Sequence, residues 1–297
     1  MRKSLGSFEA TVSKRIYRPI ISDYDFEKSI CELVDNAIDI WIKNNKPDNI
    51  VIDIIPDIST QSIIIKDNVG GLKQSELPLV VAPGHTSNSI SDETIGIFGI
   101  GTKRATVHLS KLITIRTHHK DEVTYEIQYD QRWLEDDQSW NIEIYQVDDI
   151  PIGETHIELL KLRYEISDKL INNLTVHLSE VYAKFLENSN LQIKMNGISL
   201  KPILFENWSY YPDCKPNLFI TNDFTTYAEN VEIEILAGLS TSSSPITGDY
   251  GVYLYCNDRL IAKGLKDKAL GVIPHPECAL AKIFLNLKGP AGLMPWN

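Results

Sequence analysis

The chain has 297 residues, of which 43% are hydrophobic and 23% charged, the composition of an ordinary globular protein long enough for about two cores. Forty acidic against 29 basic side chains give a formal charge of −11, which excludes a surface that binds nucleic acid throughout and leaves open only a local basic groove. No apolar run reaches the roughly 18 residues of a membrane span, and the four scattered cysteines lack a CxxC pair, so we expect a cytoplasmic protein with reduced thiols.

In chain order, residues 1–17 are polar and mixed and read as an N-terminal arm. From Asp25 to about Asn44, Ile30, Leu33, Val34, Ala37, Ile38 and Trp41 recur at helical spacing. Asp23 or Asp25 is placed to cap this helix, and KNNKPDN ends it. IVIDII (50–55) and SIIIK (62–66), separated by PDIST, predict a hairpin. The polar stretch 72–95 predicts a long loop, functional or mobile. A helix is expected from Thr102 to Leu109, then antiparallel strands at 111–117, 122–129, 141–146 and 155–160. Residues 167–188 read as helical, and LQIKMNGISLKP (191–202) as strand–turn–strand about Asn196-Gly197. Further strands are expected at 231–237, 251–256 and 281–287. The expected organisation is an arm (1–17), an α/β sandwich (18–165) and a second domain (166–297).

Three short segments carry chemistry. Glu32 and Asn36 are four residues apart on one helix face, a carboxylate to orient a water and an amide oxygen for a metal. Asp67, at the end of a strand and followed by Gly70 and Gly71, offers an acceptor where backbone can approach a flat base. Gly96, Gly99 and Gly101 allow backbone N–H groups to face phosphates without Cβ interference. Lys103 reads equally as a phosphate contact or a solvated helix start, and His85 as an ordinary loop residue. Cys31 reads as a small buried hydrophobe. Trp133, Trp140, Tyr253 and Tyr255 read as packing residues, and His118-His119 as solvent-facing.

ELVDNAID (32–39), DNVGG (67–71), GIFGIG (96–101) and GETHIEL (153–159) resemble the four nucleotide-binding motifs of the GHKL ATPases. These include DNA gyrase B subunits, ninety-kilodalton heat-shock chaperones, sensor histidine kinases, MutL and microrchidia (MORC) proteins. The resemblance implies a Bergerat fold of α+β class, a sandwich with a mixed, mainly antiparallel sheet that holds ATP under a flexible lid, roughly 83–101. It places Glu32 as the general base, Asn36 as the magnesium ligand, and Asp39 as the acid that follows in the chaperone and MORC motifs. Asp67 falls where the adenine amino group donates, with Gly71 closing over the ring and Thr155 supporting the aspartate through water. The lid backbone at Gly96, Gly99, Ile100 and Gly101, flanked by Thr102 and Lys103, falls where the phosphates bind. Asn68 departs from the small residue or threonine of many members and matches MORC-like ones.

GVYLYCNDRLI (251–261) resembles a strand of MORC-like and related prokaryotic ATPases, whose second domain is a transducer of the ribosomal S5 type. In such proteins a transducer lysine reaches the γ-phosphate. Lys266 and Lys268 are candidates here, and the loop beginning at LMPWN is a better one. The ending in Pro-Trp-Asn leads us to expect that the natural chain continues, with further domains or partner proteins. The resemblance implies an Mg2+-dependent ATPase that forms a homodimer on binding ATP, with the arm strapped onto the partner, acting on DNA or in prokaryotic defence. The competing readings are a sensor-type protein histidine kinase and a nucleotide-gated clamp with little turnover.

Overall fold

Asp25 opens the first helix by accepting a hydrogen bond from Lys28 N at 2.7 Å, which satisfies one of the donors a helix start leaves unpaired. Helix α1 (Phe26–Lys43) buries the predicted stripe from Ile30 to Trp41. It ends where Asn45 and Lys46 take positive φ values of 63° and 53° and turn the chain toward the sheet. The computed structural model describes residues 13, 14, 17, 25–96, 99–209, 217–226, 229–241, 248, 250–267 and 273–296. Most of the expected arm, residues 97–98 of the expected lid, Cys214, Lys268 and Asn297 lie outside these residues.

The predicted hairpin forms as β1 (Ile50–Asp57) and β2 (Ser62–Asp67), in register from Ile52↔Asp67 to Asp57↔Ser62. β1 buries every second residue beginning with Ile50, the two-residue period of a sheet with one covered face. After the loop, α2 (Gly101–Leu109) runs directly into β3 (Ser110–His118), and β4 (Thr124–Asp130), β5 (Ile144–Gln146) and β6 (Thr155–Leu162) follow. Ser167 caps α3 (Asp168–Val181), which stops one residue before Tyr182; a separate short turn covers Ala183–Leu186. The single helix expected over 167–188 is therefore two pieces.

β7 (Leu191–Met195) then pairs with β1 in parallel and turns through Asn196 and Gly197, both at positive φ, into β8 (Ile198–Ser199). The first sheet runs β5-β4-β3-β6-β2-β1-β7-β8, antiparallel everywhere except at β1–β7. Its covered face shares one core with α1, α2 and α3 that includes Ile38, Trp41, Ile52, Ile54, Ile113 and Leu159. Each such side chain contributes about 1.5–3 kcal/mol of burial. The result is the expected α+β sandwich with a mixed, mainly antiparallel sheet. Residues 168–199 belong to it physically, so residue 165 is not a break between sheets.

The second sheet has order β12-β11-β13-β10-β9, built from β9 (Asn217–Thr226), β10 (Glu229–Leu239), β11 (Gly251–Cys256), β12 (Arg259–Leu265) and β13 (Ala281–Lys288). β11 and β13 are parallel, and the other pairs antiparallel. β9 and β12 were not expected from the sequence. Among the described residues, no helix is long and apolar enough to cross a membrane.

Candidate active site

Positions 32, 36, 39 and 43 fall on one line along α1, since seven residues make nearly two helical turns. Their side chains face a cleft of ≈1280 Å³ whose other walls include the Gly70–Leu72 backbone, the loop up to Gly99, the start of α2 and β12 from Arg259 to Lys263. That volume exceeds the usual range of small-molecule sites. The Asn36 Nδ2 group donates to Glu32 O and to Thr102 Oγ1, both at 2.6 Å. With its NH2 fixed on these two acceptors, the amide presents its oxygen on the opposite side. Thr102 is itself buried.

α2 starts after Ile100, whose apolar side chain offers its first turn no capping bond. Ile100, Gly101 and Thr102 line the cleft, so the positive end of the helix dipole faces it, the arrangement that suits phosphate. A Cβ on Gly101 would collide with Glu32 Oε2. Glycine is needed here for close approach, because it lets the Glu32 carboxylate lie against the first turn of α2. Gly99 is needed for two reasons: its φ is +59°, and a Cβ would lie 2.5 Å from the His85 carbonyl oxygen.

The structure gives Asp39 and Lys103 a common task, which is holding the loop. Asp39 is buried and accepts from Ile95 N at 2.7 Å, Gly96 N at 2.8 Å and Asn88 Nδ2 at 2.8 Å. Burial pushes its carboxyl up to about 7 against the pull of these donors. Lys103 is also buried, and its ammonium donates to the carbonyls of His85 at 2.6 Å and Gly99 at 2.5 Å. Burial lowers it to about 8. Its recorded bonds thus go to loop backbone, neither into solvent nor away from the loop.

At the other end of the cleft, Asp67 pairs with Thr155 across β2 and β6. Thr155 shares a 3.0 Å hydrogen bond with Thr117, which also accepts from Leu72 N at 2.7 Å. Gly71, at φ +68°, has no room for a Cβ against the His118 carbonyl. Asp67 accepts from Val69 N at 3.2 Å. Burial, helped by the charge of Glu154, raises its carboxyl to about 7. Asp67 and Thr155 sit next to the cleft without lining it; the wall there is the backbone of 70–72. Asn68 ties the base of the hairpin, accepting from Val51 N and donating to Asn49 O.

Some sequence readings change. His118 is buried, with Nδ1 2.7 Å from Ile150 O, and is not solvent-facing; strand pairing with Thr124 places it inside. Trp133 packs as read, tilted against Tyr129 and edge-on to Trp140. Burial pushes the Cys31 thiol up to about 12, as befits a small buried hydrophobe. Lys266 donates to Gly248 O and Gly264 O over the Tyr250 ring, within the second sheet and away from the cleft lining. The sequence reading missed Arg259, on β12, which lines the cleft and pairs with Asp35 on α1 at 2.8 Å. No local pattern signals a pair so far apart in the chain.

A family model described as histidine kinase-, DNA gyrase B- and HSP90-like ATPase matches residues 24–159. That segment contains Glu32, Asn36, Asp67, the 96–101 glycines and Thr155. No curated protein matches the chain.

Proposed function

We propose that this chain, whose residues 24–159 form a domain of the histidine kinase-, gyrase B- and HSP90-like ATPase family, is an Mg2+-dependent ATPase that works as a dimerising switch. The observation that carries the reading is one cleft in which the Glu32 carboxylate, the Asn36 amide and the start of α2 converge. Phosphoryl transfer to water asks mainly for positioning and charge neutralisation. Glu32 orients the attacking water and takes its proton. Asn36, whose Nδ2 is committed to Glu32 O and Thr102 Oγ1, is the residue that would hold the metal, through Oδ1. The magnesium ion would supply neutralisation of the phosphate charge. Backbone amides from Gly99 to Thr102 receive the phosphates, and Asp67, paired with Thr155 behind the Gly70–Leu72 wall, accepts from the amino group of an adenine that enters past that wall.

Asp39 and Lys103 act on the nucleotide indirectly, by holding the loop in place as a lid. The second sheet is read as a transducer of the S5 type that follows the nucleotide-binding sandwich ending with β8. GVYLYCNDRLI, forming β11 and the start of β12, supports a MORC-like placement and with it a role on DNA or in prokaryotic defence. The test is sedimentation with a non-hydrolysable ATP analogue, alongside phosphate release over a range of protein concentration. The expected result is analogue-driven dimers and a specific activity that rises with concentration. Monomers with undiminished turnover would remove the dimeric switch, and dimers without turnover would leave a clamp.

A further inference from the structure

Two residues at the β11–β12 turn, Asn257 and Arg259, reach out of the second sheet. Asn257 and Asp258 take positive φ values of 46° and 68°, the geometry of a tight hairpin turn, and Arg259 opens β12. Asn257 is buried: its Nδ2 donates to Thr94 O in the lid at 3.2 Å and to Gly289 O at 3.0 Å, while its Oδ1 accepts from Gly289 N at 3.0 Å. Every recorded bond of this amide is thus committed. Arg259 reaches the other way, to Asp35 on α1, through Nε at 2.8 Å. The lid edge is held further by Ala291 N and Gly292 N, which donate to Asp92 O and Ile90 O at 2.7 and 2.8 Å. Carbonyls 90, 92 and 94 therefore all dock on the second half of the chain.

The Asp35 end is as fixed as the lid end. Tyr182 OH lies 2.6 Å from Asp35 Oδ1 and 2.9 Å from Cys31 O. Asp35, Tyr182 and Cys31 are buried, and the Asp35 charge holds Arg259 well above its ordinary range. These contacts grip α1 at residues 31 and 35, the neighbours of Glu32 and Asn36. A helix held at both positions cannot rotate about its axis without breaking a buried ion pair. Burying such a pair gains little over apolar packing and acts best as a device of registry.

We infer that the 257–259 turn is a two-point clamp, Asn257 on the lid and Arg259 on the base-bearing helix, and that Arg259 is a positioning residue for Glu32 acting through Asp35. The inference rests on the ATPase reading above. It makes the second sheet the part that sets the distance between lid and base, so movement of that sheet changes both together. In this role Arg259 acts through Asp35 and not on the nucleotide itself.

The experiment compares Arg259→Met, Asn257→Ala and the double variant Asp35→Leu/Arg259→Leu with the unaltered chain, by steady-state ATPase kinetics, melting temperature and amide exchange. Misplacing a reacting group by an ångström costs up to about 100-fold. Arg259→Met is expected to lower kcat about 10- to 100-fold with KM within about threefold. The apolar double variant should recover the melting temperature lost in Arg259→Met while kcat stays low. Asn257→Ala should speed amide exchange at residues 95 and 96. Recovery of kcat together with melting temperature in the double variant would reduce the pair to packing and overturn the positioning role. If the unaltered chain shows no turnover, the ATPase reading falls; the clamp is then decided by amide exchange alone. Unchanged exchange at 95–96 in Asn257→Ala and along α1 in Arg259→Met would overturn it.

Discussion

Glu32→Ala is expected to bind ATP at least as tightly as the unaltered chain and to release phosphate at least about 100-fold more slowly. A positioned general base contributes roughly 10²- to 10⁴-fold, and Glu32 is the carboxylate that lies against the first turn of α2. Removing a negative charge from the place where phosphates bind relieves repulsion, so affinity should not fall. The Asn36–Thr102 bond does not involve the Glu32 side chain, and the Asn36 amide donates to the Glu32 backbone carbonyl. The metal ligand therefore keeps its place in the variant. Titration with a fluorescent nucleotide reads the affinity, and a coupled phosphate assay reads the turnover. Turnover retained within about tenfold would remove Glu32 as the base.

Asp67→Asn is expected to separate stability from binding. In the unfolded chain this carboxyl ionises near 3.8 and in the folded chain near 7, because burial opposes its charge. The folded state therefore holds the proton across that window. The stabilisation that comes with the neutral form is fully present below about pH 3.8 and is lost as the pH rises through 7. An asparagine never carries the charge, so it recovers that loss at neutral pH and above, and can still accept from Val69 N. A full shift at ~1.4 kcal/mol per tenfold change in acidity is an upper bound. Partial exposure of the residue screens the charge, and about 2 kcal/mol, or ~5 °C in melting temperature, is the expected gain above pH 7.

The same substitution should weaken ATP binding about 10- to 100-fold, the worth of a hydrogen bond to a charged acceptor. In the unaltered chain, ATP affinity should fall as the pH is lowered through about 7, since the adenine amino group donates best to the ionised carboxylate. Calorimetric melting and nucleotide titration at pH 6 and 8 check both halves. A variant that melts lower at pH 8 would contradict the burial cost of the Asp67 charge, and one that binds ATP normally would remove Asp67 from the adenine site.

Local patterns made much of this legible. The 3.6-residue stripe of α1 and the alternation in β1 report which face is buried, and both elements form as read. The glycines at 99 and 101 are legible because only glycine tolerates the approach of the His85 carbonyl and the Glu32 carboxylate. What could not be read is non-local. β7 joins the first sheet by a parallel pairing with β1 across more than a hundred residues, and nothing in LQIKM announces a partner. β12 carries Gly264 at φ +66° and register shifts against β11, which blur its alternation. Lys103 reads from the sequence equally as a phosphate contact or a solvated helix start, and its ammonium is turned onto two loop carbonyls instead. The Asp35–Arg259 pair joins positions 224 residues apart, and only the fold brings them together.

The most direct measurement of the central claim is the fate of the γ-phosphate of radiolabelled ATP given to the purified chain, with magnesium and with a chelator. The account predicts label appearing as free phosphate only when magnesium is present, none retained on the protein, and release abolished in Glu32→Ala. Stable label on the protein, or bound ATP that stays intact in the presence of magnesium, would contradict it.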